Sequence, residues 1–153
     1  MLSTGGEARA RLYMAHIIIE HSDNLRGRLD VPQLVQTLHQ AALGTGIFPI
    51  GGLRTRAYAT SAYCIADGHP DNAFVHVAVR IGQGRDRATQ RAACERIFAA
   101  ACAHLGALFE TAPLAISVEM AELDPELSLK KNNVHEYVKR RGQARLGAGA
   151  AER

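Results

Sequence analysis

One plan occurs twice in this chain, and that repetition limits the fold more than any single motif does. Ala15 to His21 is a short apolar run rich in β-branched residues, the pattern of a buried strand. Ser22-Asp23-Asn24 supplies turn chemistry. Asp30 is a good helix N-cap, with Pro32 in the first turn and Gln33 three residues on. Leu34, Val35, Leu38, Ala42 and Leu43 follow at helical spacing, and Gly44 and Gly46 close that helix. Ile47 to Gly52 is an apolar loop. Leu53 to about Ile65 then reads as a strand, with Arg54, Arg56 and Tyr58 alternating along one face.

After a polar joint, Asp67 to Asn72, the plan returns. Ala73 to Ile81 is a strand with Val75, Val77, Val79 and Ile81 on one face. Gly82-Gln83-Gly84-Arg85 is a tight loop and Asp86 can cap the next helix. That helix carries a stripe of Cys94, Ile97, Phe98, Ala101, Cys102, Leu105, Leu108 and Phe109. Leu114, Ile116, Val118 and Met120 alternate as a final strand.

A β-α-β unit holds its two strands parallel with the helix on one face. Two units side by side predict an α/β (α+β) fold, a four-stranded sheet with two helices on one face. The other face is then expected to be apolar and uncovered, and in so short a chain self-association would cover it. The expected domain spans residues 14–141, with halves at about 15–66 and 73–121. Residues 132–141 form a short last helix, and 142–153 a flexible Gly/Ala-rich tail. Residues 1–13 read as a disordered arm or as a start placed too early, with Met14 the true first residue.

At 153 residues, with 47% hydrophobic and 22% charged residues, the chain has material for a real core. The charge of +3 is weak, and Lys130, Lys131, Lys139, Arg140, Arg141 and Arg145 concentrate it near the C-terminus. That pattern describes a solvated tail and gives no basis for nucleic-acid binding. Cys64, Cys94 and Cys102 are odd in number and lack CxxC spacing, which argues against a disulfide framework or zinc site. Cys94 and Cys102 are expected as core thiols in a reducing, cytoplasmic compartment. No apolar run approaches the ~18 residues of a membrane span, so no membrane role is expected.

The candidate chemistry is sparse. Arg85 follows a GxG turn between strand and helix, where backbone and guanidinium can approach an anion together. Spacing alone also allows a surface arginine beside a helix cap. Arg54 and Arg56 share a strand face, as anion ligands or as solvated cations. His16, His21 and His76 sit on strands without metal-ligand spacing. Asp67, Asp71 and Glu119 are possible acid or base groups that nothing in their spacing selects.

In order along the chain, Ala15 to Asn24, Thr45 to Arg56 (TGIFPIGGLRTR), Ala66-Asp67-Gly68, Phe74-Val75-His76, Ile81 to Arg85 (IGQGR) and Lys131 to His135 (KNNVH) resemble the 5-carboxymethyl-2-hydroxymuconate isomerase family. The resemblance covers residues 14 to about 139. It implies a tautomerase fold of two β-α-β units, a homotrimer, and catalysis with no cofactor and no metal. The implied substrate is a small anionic unsaturated hydroxy/keto diacid from homoprotocatechuate breakdown, and the implied reaction moves a proton from enol oxygen to carbon. In the family an N-terminal proline is the acid/base and two arginines bind the anion; the arginines match Arg54 and Arg85.

At the proline's position this sequence has Ala15. A primary amine is available there only if Met14 is the start and is removed; an amide nitrogen cannot act as a general base. Three readings follow: an isomerase using the Ala15 amine with Arg54 and Arg85, a ligand-binding relative without the chemistry, or a different tautomerase-type reaction using His16, Asp67 or Glu119.

Overall fold

The computed structural model describes residues 14–151. The N-terminal arm, residues 1–13, lies outside the described residues. Strand β1 spans Ala15–Ser22, helix α1 Val31–Gly44, β2 Leu53–Thr60, β3 Ala73–Gly82, α2 Arg87–His104, the short α3 Gly106–Thr111, β4 Leu114–Leu123 and α4 Val134–Ala151. Both main helices start where the sequence supplies a cap. The Gln33 N–H donates to Asp30 Oδ1 at 3.0 Å, and the Thr89 N–H to Asp86 Oδ1 at 2.7 Å.

The strands form one mixed sheet in the order β2-β1-β3-β4. β1 runs parallel to β2, β3 runs parallel to β4, and the halves join through antiparallel β1 and β3. Ala15, Ile17 and Ile19 of β1 and Val75, Val77, Val79 and Ile81 of β3 are buried under the helices. Leu34, Leu38 and Ala42 of α1 and Ala93, Ile97 and Ala101 of α2 close that core. Each fully buried Leu, Ile or Val contributes about 1.5–3 kcal/mol.

Four expectations are corrected. First, the uncovered face is mostly polar. The valines of β3 turn toward the helices, so strict alternation leaves His76 and Arg80 opposite, beside His16, Glu20, Arg54 and Arg56. Second, β2 stops at Thr60, because β1 ends at its partner Ser22 and offers nothing further to pair with. Third, the second helix breaks. Leu105, at φ −92° and ψ 4°, leaves helical geometry ahead of Gly106, and Phe98 and Phe109 are exposed. The buried line is Ala93, Ile97 and Ala101, and Cys94 and Cys102 are only half-buried. Fourth, residues 142–151 continue α4 instead of forming a loose tail. Ala, Arg and Gln between the glycines are strong helix formers, and extending an existing helix costs less than starting one.

The start of α4 is fastened to the turn before β2. Asn132 Nδ2 donates to the Gly51 carbonyl at 2.9 Å. A Cβ on Gly51 would lie 2.3 Å from Cβ of His135 and 2.5 Å from its Cα. Only glycine allows the two backbones this close. Gly51→Ala is therefore expected to cost about 1–3 kcal/mol by overpacking and to loosen α4. Urea denaturation with hydrogen exchange at residues 134–141 would register both effects.

Candidate active site

β1 sets the geometry. Ala15 pairs with Leu53 on one side and Ile81 on the other, and the Gly82 N–H donates to the Met14 carbonyl at 3.2 Å. The strand end at Ala15, the residue preceding Arg54, and the loop carrying Arg85 thus share one end of the sheet. Ala15 is buried on the helix side. In the described chain its nitrogen is the amide that follows Met14.

The two arginines differ. Arg54 stands opposite His16 on the uncovered face, exposed, with no hydrogen bond or ion pair among the described residues. Arg85 is built in. Its Nε donates to the Ile47 carbonyl at 3.0 Å, Nη1 donates to Gly82 at 3.1 Å, and Nη2 also donates to Ile47. The guanidinium carbon lies 6.0 Å from the centre of the Phe48 ring. Burial lowers its pKa from the ordinary value, yet a guanidinium stays charged. Arg85 therefore ties the loop after β3 to the loop after α1 while keeping a cation at the sheet end.

Of the other candidate acid/base groups, only His16 lies at this end. Asp67 sits in the connection between β2 and β3, at the opposite end of the sheet. It accepts bonds from the His69 N–H and from Asn72, and these hold its carboxyl below the usual range. Glu119 is paired with His76 Nε2 at 3.2 Å.

Sequence reasoning missed the cleft in which His16 stands. It has a volume of about 320 Å³ and lies on the uncovered face. His16, Arg56, Arg80 and Ser128 supply its polar lining, and Met14, Ile18, Leu123, Leu127 and Leu129 its apolar walls. Arg56 Nη1 donates to His16 Nδ1 at 3.1 Å. The alternation of Arg54 and Arg56 hinted at this face, but Arg80 joins it only once β3 is known to run antiparallel beside β1. Among the described residues, no three His, Cys, Asp or Glu side chains converge to hold a metal ion. No helix there is long and apolar enough to cross a membrane.

The pattern of the 5-carboxymethyl-2-hydroxymuconate isomerase family matches residues 15–138, opening at Ala15. The chain belongs to this family. An Escherichia coli 5-carboxymethyl-2-hydroxymuconate Delta-isomerase is 40% identical over 126 residues, which are 82% of this chain and all of that protein. The crystal structure of a 5-carboxymethyl-2-hydroxymuconate isomerase from Deinococcus radiodurans R1 superposes with a TM-score of 0.77 at 36% identity, covering 83% of this chain and 98% of that one. A second crystal structure, of a 5-carboxymethyl-2-hydroxymuconate delta-isomerase, gives 0.79 at 30% identity, covering 85% and 96%. The four-stranded sheet with its helices is the tautomerase-like fold of these isomerases.

His16 is held below its ordinary pKa of 6.5, first by burial and then by Arg56, Arg54 and Arg80; burial does the same to His39. The folded chain therefore binds fewer protons than the unfolded chain just below that pH. Their contribution to stability is complete above about 6.5 and falls as pH drops from there toward the lowered values. Thermal melts between pH 7.5 and 5 are expected to show a falling Tm. A shallower fall is expected in His16→Gln, and equal slopes would contradict this account.

Proposed function

We propose that the protein is a cofactor-independent isomerase acting on an unsaturated 2-hydroxy acid of the 5-carboxymethyl-2-hydroxymuconate type, in the breakdown of homoprotocatechuate. One observation carries the reading: a member of this isomerase family has Ala15, Arg54 and the Arg85 loop at one end of its sheet.

In the reaction, a base takes the enol proton and the C–O bond becomes a carbonyl. The electron pair of the conjugated diene then takes a proton at carbon, so no net oxidation occurs. In this reading the mature chain begins at Ala15 after removal of Met14, and its α-amine carries the proton. An α-amine titrates near ~8 in the open, and neighbouring cations disfavour its ammonium form. Arg54, without a competing partner among the described residues, binds the anion. Arg85, fixed by two carbonyls, stabilises the negative charge that develops on oxygen. The working particle in this reading is a homotrimer, whose formation would cover the exposed Leu127 and Leu129.

A second reading rests on residue 15 itself. Alanine lacks the rigid secondary amine of proline, and an unprocessed chain has only an amide there. Such a chain would bind the diacid without turning it over.

An ultraviolet assay of 2-hydroxymuconate ketonisation, on protein whose N-terminus is read by mass spectrometry, separates the two. The isomerase reading expects turnover above the solution background when Ala15 is the first residue, and a higher rate in Ala15→Pro. Arg54→Ala should lower kcat/KM by roughly 10- to 100-fold with little change in stability, as it removes one charged contact from an exposed site. Arg85→Ala should lose both rate and stability. A folded protein that begins at Ala15 and yields only background rate would refute the isomerase reading.

A further inference from the structure

The loop that carries Arg85 has little packing of its own. It leaves β3 through Gly82, Gln83 and Gly84; the last two are exposed, and Gly84 has φ 122°. The carbonyls of Ile47 and Gly82 hold the guanidinium of Arg85 at its far end. That hold alone does not fix the side chain. Its near end is the main chain of a glycine-rich turn, and a hydrogen bond weakens steeply once donor and acceptor fall out of line.

Helix α2 supplies a second hold, on the main chain. Asp86 is the N-cap: its carboxylate accepts from the Thr89 N–H, and its carbonyl accepts the Gln90 N–H at 3.1 Å. Arg85 therefore precedes the cap, and Gln90 is the fourth residue of the helix. These two positions face each other across a helix start, where an apolar contact often fixes the entry angle of the chain. Here the contact is polar. Gln90 Nε2 donates to the Arg85 carbonyl at 2.9 Å. It also donates to Oε1 of Glu122, near the end of β4. A side-chain amide nitrogen has two hydrogens, and each has an acceptor here. Glu122 thus orients the amide, and a carboxylate at position 90 could make neither bond.

We propose that Gln90 is a positioning residue for Arg85: its amide, aligned by Glu122, fixes the Arg85 main chain so that the guanidinium is in place for the developing oxyanion. The effect on rate rests on the isomerase reading above; the effect on Arg85 does not. Capture of the anion is assigned to Arg54, on β2, so loss of Gln90 should act on kcat and leave KM nearly unchanged.

Two full-length variants test this. Gln90→Met removes both bonds without adding charge. Gln90→Glu combined with Glu122→Gln restores a bond between α2 and β4 but gives the Arg85 carbonyl no donor from residue 90. In the wild-type protein the Arg85 Nε–H, assigned in nitrogen NMR by its loss in Arg85→Lys, should exchange slowly with solvent. Both variants should exchange it roughly tenfold faster. Both should lower kcat roughly five- to tenfold, with KM within about twofold. The double variant should melt near the wild-type temperature and Gln90→Met below it. Wild-type exchange and kcat in the double variant would assign Gln90 to the tie between α2 and β4 alone and overturn the proposal. Unchanged Arg85 exchange in both folded variants, or a loss confined to KM, would overturn it too. A wild-type protein without turnover would refute the isomerase reading instead, and the exchange of the Arg85 Nε–H would still decide whether Gln90 positions that residue.

Discussion

The antiparallel pairing of β1 with β3 is the constraint on which the rest depends. It joins the halves, puts the two most apolar strands at the centre of the sheet, and sets Ala15 opposite Ile81. Because side chains alternate along a strand, one register decides both faces. Ile17 and Ile19 go under the helices with Val77 and Val79, and His16 goes to the other face with Arg80. A shift of one residue would put charged groups into the core and isoleucines outside. The same hydrophobic burial that holds the fold therefore also gathers the cations of the uncovered face.

That face shows where sequence reading stops. The strands, both main helices and their caps were legible because period-2 and period-3.6 patterns are local, and Asp30 and Asp86 sit where caps are needed. The family motifs marked Arg54 and Arg85. The meeting of His16, Arg56 and Arg80 was not legible, since it depends on which strands are neighbours and in which direction. The polarity of the open face was misread for a related reason. A strand such as Ala73 to Gly82 has valines on one side and Phe74, His76 and Arg80 on the other, and only the position of the helices says which side is covered. The break at Leu105 was hidden because Leu105, Leu108 and Phe109 extend the apolar spacing of α2 across it.

In the proposed reaction the two arginines would divide one task. Arg85 has its donors engaged by the Ile47 and Gly82 carbonyls, so its position is fixed before any ligand arrives. Arg54 keeps its donors for solvent or ligand. Preorganised charge favours a developing oxyanion because it needs no reorganisation, whereas an open cation favours capture of an anion already formed. The difference arises from the backbone around each residue, since the side chains are the same.

The clasp between Gly51 and His135 has a consequence for the timing of synthesis. The turn at 50–52 leads directly into Leu53 and Arg54, and emerges early from the ribosome. Its partners, Asn132 and His135, are made about eighty residues later. Domains tend to fold as units during synthesis, N-terminal parts first, so the first β-α-β unit can form while that turn still lacks its cover. The strand start bearing Arg54 therefore reaches its final setting only when residues 132–135 have been made and have folded back onto that turn.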